Sequence, residues 1–204
     1  MNELMNKRHA LRLMAWTGLA AASWSLAACS EKKPSFNAVD ITGADYARGF
    51  SLTDADGKLR TLADFKGKVV VLFFGYAQCP DVCPTTMTEM AQVKQQLGTD
   101  GDKLQVLFVT VDPERDTPAV MKAYMGAFDP AFVALIPTPE QLPALAKDFK
   151  AYYKKVEGKT PTSYSMDHSA ASFVYDTAGR VRLYACSRGG VPAMVSDVKA
   201  LLKS

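Results

Sequence analysis

At 204 residues, 48% hydrophobic and 22% charged, the chain is long enough for one globular domain with a substantial core plus some extra segment. Its formal charge of +3 falls to +1 once residues 1–28 are set aside, because they hold three of the 24 basic and one of the 21 acidic residues. A nearly neutral domain offers no electrostatic footprint for nucleic acid, which is therefore not an expected partner.

The first segment reads as an address. Lys7, Arg8 and Arg12 form a basic start, residues 13–28 are apolar or small, and Leu26-Ala27-Ala28-Cys29 closes the run. That ending resembles the lipobox of bacterial lipoproteins, in which the cysteine is acylated and becomes the mature N-terminus after a cleaved secretory signal. The competing reading is a permanent transmembrane anchor, for which the run is somewhat short of the roughly 20 residues a bilayer core requires. Either way the domain stands outside the cytoplasm on a membrane tether, and acylation of Cys29 would let lipid chains supply the anchor. The expected division is a signal peptide over 1–28, a tethering linker over 29–45 and a domain over 46–204, on the periplasmic side of a bacterial membrane. Removing the signal takes His9 with it and leaves His168 as the single histidine. With Cys29 lipidated, Cys79, Cys83 and Cys186 remain, which is not a disulfide framework, and a domain of this size does not need one.

Within the domain, Phe50-Ser51-Leu52-Thr53 and Leu59-Arg60-Thr61-Leu62 flank Asp54-Ala55-Asp56-Gly57, the signal of an N-terminal β-hairpin. Residues 68–75 are β-branched and apolar, predicting a central strand buried on both faces. Cys79 follows in a loop, Pro84 suits a first helical turn, and residues 85–97 predict a helix ended by Gly98. A second buried strand is expected over 103–111, then a helix from Pro118 to about Phe128, a short strand over 132–136 and a helix over 139–149. Residues 160–167 read as a polar loop leading to His168. Strands over 171–176 and 180–186, joined by Thr177-Ala178-Gly179, precede a closing amphipathic helix over 191–202. This order describes an α/β domain with a mixed central sheet flanked by helices. Chemistry in such sheets gathers at the carboxyl edge of the strands. The first buried strand delivers Cys79 there and the second delivers Asp112. His168 joins them only if the strand after it runs antiparallel.

Two cysteines four positions apart at a strand–helix junction suggest thiol or metal chemistry. The free N–H groups and dipole of the helix start are expected to lower a thiol pKa. Several chemistries stay open. Disulfide exchange ordinarily uses a two-residue spacer, and here there are three. Two thiolates with one imidazole suit copper(I) and can also hold copper(II). A closed zinc site needs a fourth ligand, for which Cys186 is the only other thiol. An inert pair is the plain alternative, a lone histidine more often lies at a surface, and Cys186 is expected as a buried small hydrophobe on its strand. Asp116 or Thr117 should cap the helix that Pro118 begins. Asp112 is a candidate for supporting the site or docking a partner, and Glu114 and Arg115 are expected to face a partner or solvent.

Three segments then carry a resemblance. Phe73-Phe74-Gly75-Tyr76 followed by Cys79-Pro80-Asp81-Val82-Cys83-Pro84, the stretch Val111-Asp112-Pro113-Glu114-Arg115-Asp116-Thr117-Pro118, and Asp167-His168-Ser169 resemble the SCO/SenC family, in the same order. The resemblance implies a thioredoxin-like fold, a membrane tether, and copper held by Cys79, Cys83 and His168. It implies assembly of the binuclear copper centre of cytochrome c oxidase, by delivering copper, by reducing the acceptor's cysteines, or by both. The partners so implied are the copper-accepting oxidase subunit and other periplasmic copper chaperones. Family members generally carry a transmembrane anchor, so the lipoprotein-like start alters the tether and not the chemistry. The alternative function is a thiol–disulfide oxidoreductase using Cys79 and Cys83 as a redox pair, with His168 dispensable. Such an enzyme would carry a proline just before the strand that begins near Ala171. Met166-Asp167-His168 stand there instead and Pro161 is too distant, which favours metal.

Overall fold

The computed structural model describes residues 35–160, 163–186 and 189–204; residues 1–34, with the signal segment and Cys29, and Pro161 lie outside them. In chain order the elements are β1 (Val39–Asp40), β2 (Leu52–Asp54), β3 (Leu59–Arg60), β4 (Val69–Gly75), α1 (Val82–Gln96), β5 (Leu104–Thr110), α2 (Pro118–Gly126), β6 (Val133–Ile136), α3 (Gln141–Asp148), β7 (Tyr153–Glu157), β8 (Tyr164–His168), β9 (Ser172–Tyr175), β10 (Val181–Ala185) and α4 (Gly190–Leu201). Eight strands form one mixed sheet in the order β1-β10-β9-β4-β5-β6-β2-β3, while β7 and β8 form a separate two-stranded ribbon.

The unbroken apolar runs become the sheet centre because a strand covered on both faces has no side left for polar residues. All seven positions of β4 and all seven of β5 are buried, and the two strands pair in parallel from Val69↔Leu104 to Gly75↔Thr110. Both chains therefore leave the sheet together, with the Val111 N–H donating to the Gly75 carbonyl. On the other side of β4, β9 runs antiparallel, with Phe73 opposite Ser172. That meets the condition set for His168, which arrives at the carboxyl end of β4 just before β9 starts. The expected hairpin is β2–β3, added through β2 to β6 so that β3 forms the edge of the sheet.

α1 buries Cys83, Thr86, Met87, Met90 and Val93, a stripe at helical spacing that packs beside α4. It ends at Leu97, where Gly98 takes the left-handed φ of 59°. Thr117 caps α2 through its side chain, accepting the Val120 N–H, with Pro118 as the first helical residue.

Three local expectations change. From Asn37 onward, the segment read as tether is part of the domain. The buried Asp197 carboxylate in α4 accepts the N–H groups of Asn37 (2.8 Å) and Ala38 (2.9 Å), and β1 pairs with β10. Phe36, Ala38, Ile41 and Ala44 pack on the core without any periodic pattern that a sequence would show. Second, the residues ahead of His168 form the ribbon β7–β8 instead of a loop, with Tyr153 opposite His168 and Glu157 opposite Tyr164. Third, Cys186 is exposed and not a buried hydrophobe. β10 turns Val181, Leu183 and Ala185 inward, and the two-residue period of a strand then turns position 186 outward.

Candidate metal centre

The cysteine half of the site is built on the core. β4 ends at Gly75, whose missing side chain is required: a Cβ there would lie 2.7 Å from the Cys83 sulfur and 2.7 Å from the Phe108 ring. Glycine alone lets α1 lay its first turn across the strand end. Cys79 sits in the turn between β4 and α1, with its N–H donating to the Tyr76 carbonyl. Cys83 lies in the first turn of α1 and is fully buried, whereas Cys79 keeps 9% of its surface. Both are free thiols. The expected lowering of the thiol pKa is not found for Cys83. Burial pushes its thiol well above the usual cysteine range, outweighing the backbone N–H of Tyr76 aimed at it. A thiol so placed is a poor nucleophile until a cation displaces its proton.

The histidine half comes from the ribbon. Tyr164, Met166 and His168 turn inward along β8 while Ser165 and Asp167 face solvent. His168 Nε2 stands 3.4 Å from Cys83 Sγ, and Nδ1 lies 3.0 Å from the Ser169 carbonyl. A carbonyl only accepts, so Nδ1 carries the proton and the Nε2 lone pair faces the sulfur. Burial holds the imidazole pKa below the ordinary histidine value, against the opposing pull of the Ser169 carbonyl, which keeps the ring neutral and ready to ligate. Phe73 and Tyr76 meet the imidazole edge-on at 5.9 and 5.8 Å and fix its plane.

The donor atoms of Cys79, Cys83 and His168 all lie within 4.8 Å of one another, and no other trio of such donors converges among the described residues. Donors this close to one another could hold a single ion between them. Two sulfurs and an imidazole Nε2 form a three-donor set with an open side, which fits copper(I). Cys186 is not part of this trio, so a closed four-ligand zinc site is not assembled.

The segment after β5 supports both halves, in a way the sequence did not fully disclose. Asp116 does not cap α2. Its buried carboxylate accepts the Ala77 N–H (3.1 Å) and the Thr110 hydroxyl (2.6 Å), holding the start of the Cys79 turn, and burial raises its pKa. Asp112, expected near the site, is buried and accepts the Tyr164 hydroxyl at 2.8 Å, so it supports the ribbon and is not open to a docking partner. Arg115, expected to face a partner or solvent, is mostly buried. Its guanidinium lies 3.5 Å over the Tyr164 ring, pairs with Asp112 and donates to the Tyr164 carbonyl. An arginine three residues after an aspartate, with tyrosine ahead of the histidine, was the available signal. It was too common a pattern to read alone.

The model of the SCO1/SenC family matches residues 39–203. A SCO2-like protein of Rickettsia felis is 31% identical over 166 residues, covering 80% of this chain and 81% of that one. The mitochondrial SCO2 homologues it matches are longer, and the chain spans about half their length. Among solved structures, Bradyrhizobium japonicum ScoI with copper bound is 39% identical, with a TM-score of 0.69 over 75% of this chain and 97% of that one. A SCO1/SenC family lipoprotein from Bacillus anthracis is 26% identical, with a TM-score of 0.64 over 75% of this chain and 92% of that one. The α/β architecture is therefore the thioredoxin-like one expected. Because the family match takes in every element from β1 to α4, and with them Cys79, Cys83 and His168, the chain belongs to the SCO1/SenC family.

Proposed function

We propose that Cys79, Cys83 and His168 hold copper, and that the protein serves assembly of the copper centre of cytochrome c oxidase. It would take copper from periplasmic carriers and pass it to the copper-accepting oxidase subunit. The observation that carries this reading is the meeting of three soft or borderline donors at one sheet edge, with no fourth among the described residues. Family membership and the copper-bound relative point the same way. Exchange would proceed by ligand substitution: an acceptor thiolate or imidazole enters beside Cys79, which keeps 9% of its surface, and Cys79 leaves first because Cys83 is fully buried.

When a two-electron oxidant such as another protein's disulfide closes Cys79 and Cys83 into a disulfide, it takes up two electrons and both thiol protons, and two donors are lost at once. Copper load and thiol redox state are therefore coupled. Thiol–disulfide exchange as the main activity has less support, since no proline occurs in residues 163–171 ahead of β9, where such an enzyme would carry one. The tether we assign is a lipid on Cys29, holding the domain on the periplasmic side of the membrane. It is supported by Leu26-Ala27-Ala28-Cys29 and by the lipoprotein relative. No helix among the described residues is long and apolar enough to cross a membrane.

Equilibrium titration of the reduced and the oxidised protein with copper tests the reading. Tight binding of one ion by the reduced form, weak binding by the disulfide form and a weakened site in His168→Ala are expected. Equal, weak binding by both forms, or unchanged affinity in His168→Ala, would end it. In cells, Cys83→Ser should lower oxidase activity and its copper content, with copper supplementation restoring part of both.

A further inference from the structure

The ribbon that carries His168 shares no strand pairing with the main sheet. Its place on the domain is therefore set largely by side chains: Met166 is buried in the core, His168 packs on Phe73 and Tyr76, and a polar cluster surrounds Tyr164. Lys155 pairs with Glu114 at 2.9 Å, but both are exposed and such a pair contributes little. Several half-buried polar contacts around Tyr164 meet at one residue. Arg115 stacks on the Tyr164 ring, donates to the Tyr164 carbonyl at 2.9 Å, and is itself oriented by Asp112, which also receives the Tyr164 hydroxyl at 2.8 Å. Through the same Nη1 it reaches the Gln78 side-chain oxygen at 3.1 Å, next to Cys79. Thus one guanidinium touches both the turn that presents Cys79 and the strand that presents His168.

Stacking and hydrogen bonding at once require a planar, multidentate cation, which arginine supplies and lysine does not. Tyr164 and His168 are four residues apart on one face of β8, about 13 Å at the usual strand rise. A strand is stiff over that length, so seating Tyr164 seats His168.

We propose that Arg115 is a positioning residue for the metal centre: by clamping Tyr164 it holds the β7–β8 ribbon so that His168 completes the site. Arg115 contributes no donor atom to the trio. Its effect is on how well the third ligand is presented. This rests on the metal-binding reading of Cys79, Cys83 and His168.

The test uses reduced protein loaded with copper(II), its affinity measured by competition and its ligand set by pulsed electron paramagnetic resonance, which reads imidazole nitrogen directly. Arg115→Met should weaken copper binding by about 10- to 100-fold, the range for residues that orient a ligand, and diminish the imidazole nitrogen signal. Arg115→Lys, which keeps the charge and loses the fork, should resemble Met and not wild type. In a His168→Ala background, Arg115→Met should add no further loss. Should Arg115→Met fail to fold by circular dichroism, Tyr164→Leu removes the stacking surface and makes the same test. Affinity within twofold of wild type with full imidazole signal would overturn the proposal. So would an equal loss in the His168→Ala background, since that places the effect at Cys79 or in the fold. Wild-type protein that takes up no copper would overturn the metal-binding reading itself, whereas wild type and variants binding alike would overturn only the role of Arg115.

Discussion

The two halves of the metal centre are built by different physics. Cys79 and Cys83 hang on the end of β4, where every residue is buried and both neighbouring strands pair along its length. His168 hangs on β8, whose only strand partner is β7, a strand carrying Lys154, Lys155 and Glu157 with no fully buried position. The thiols are fixed by the hydrophobic core, which tolerates little displacement. The imidazole is steadied by the edges of Phe73 and Tyr76, and its ribbon is held near Tyr164 by a handful of polar and cation–π contacts, each of which contributes a modest amount. A site that must both hold and release a soft metal ion is served by this asymmetry: a rigid pair of sulfurs, and a third ligand on an element that can be displaced without unfolding the domain.

The strongest way to break that comparison is to cut each half and ask what falls. Phe73→Ala removes a fully buried ring packed on Phe108 and His168, and should cost about 3–5 kcal/mol of global stability in urea unfolding. Tyr164→Leu, in the ribbon, should leave the main unfolding transition close to wild type while copper affinity drops. If Tyr164→Leu lowered the unfolding midpoint as far as Phe73→Ala, ribbon and core would be one cooperative unit and the asymmetry would be lost.

A smaller effect sharpens the description of the rigid half. Gly75→Ala places a methyl 2.7 Å from the Cys83 sulfur and against two phenylalanine rings, so overpacking should cost about 1–3 kcal/mol. Because the sulfur must give way, copper affinity should fall with stability. This coupling is the reverse of the ribbon, where affinity is expected to fall alone. Parallel chemical denaturation and copper competition on the two variants would show it.

How much of this was legible in the sequence follows the same division. The buried strands, the hairpin at the N-terminal end, the helix starting around Pro84 and the cap at Thr117 announce themselves, because continuous apolar runs and capping residues act locally. The Cys79–Cys83 pair and its strand-to-helix position were legible for that reason, and His168 became a candidate by elimination of His9. The ribbon was not legible. A strand with water on its outer face and a polar clamp on its inner one lacks an apolar pattern, so residues 160–167, which include most of β8, read as a polar loop. Of the two candidate caps Thr117 is the one used, and the contacts of Asp116 and Arg115 were not legible because their partners, Ala77 and Thr110 for one, Tyr164 and Gln78 for the other, are mostly tens of residues away. The Cys83 thiol went against expectation because burial, which a sequence does not display, outweighed the helix N-terminus, which it does.

The smallest expected effect lies at the end of β9 farthest from His168, and it marks where the site's influence stops. Asp176 follows β9 in the turn to β10. Its carboxylate accepts the N–H groups of Ala178 and Arg180 and pairs with Arg180 and Arg182, with 1% of its side chain exposed. Burial alone would raise its pKa, yet the hydrogen bonds and charge of Arg180, with help from Arg182, bring it below the ordinary aspartate value. A carboxylate whose folded pKa lies below its unfolded value adds stability above the unfolded value, about 3.9, and loses that contribution as pH falls through the folded one. Arg180 is largely exposed, so the pairing is screened and the loss in Asp176→Asn at neutral pH should be about 1 kcal/mol. The variant should also flatten the acid limb of the stability profile below pH 4, read from thermal midpoints across pH. Copper affinity at neutral pH should stay at the wild-type level, because β9 transmits nothing from Asp176 to His168 except a sheet register that Val70↔Tyr175 and Phe73↔Ser172 already hold. A drop in affinity would mean that β9 shifts as a rod, and that the histidine is positioned through the sheet as well as through the ribbon.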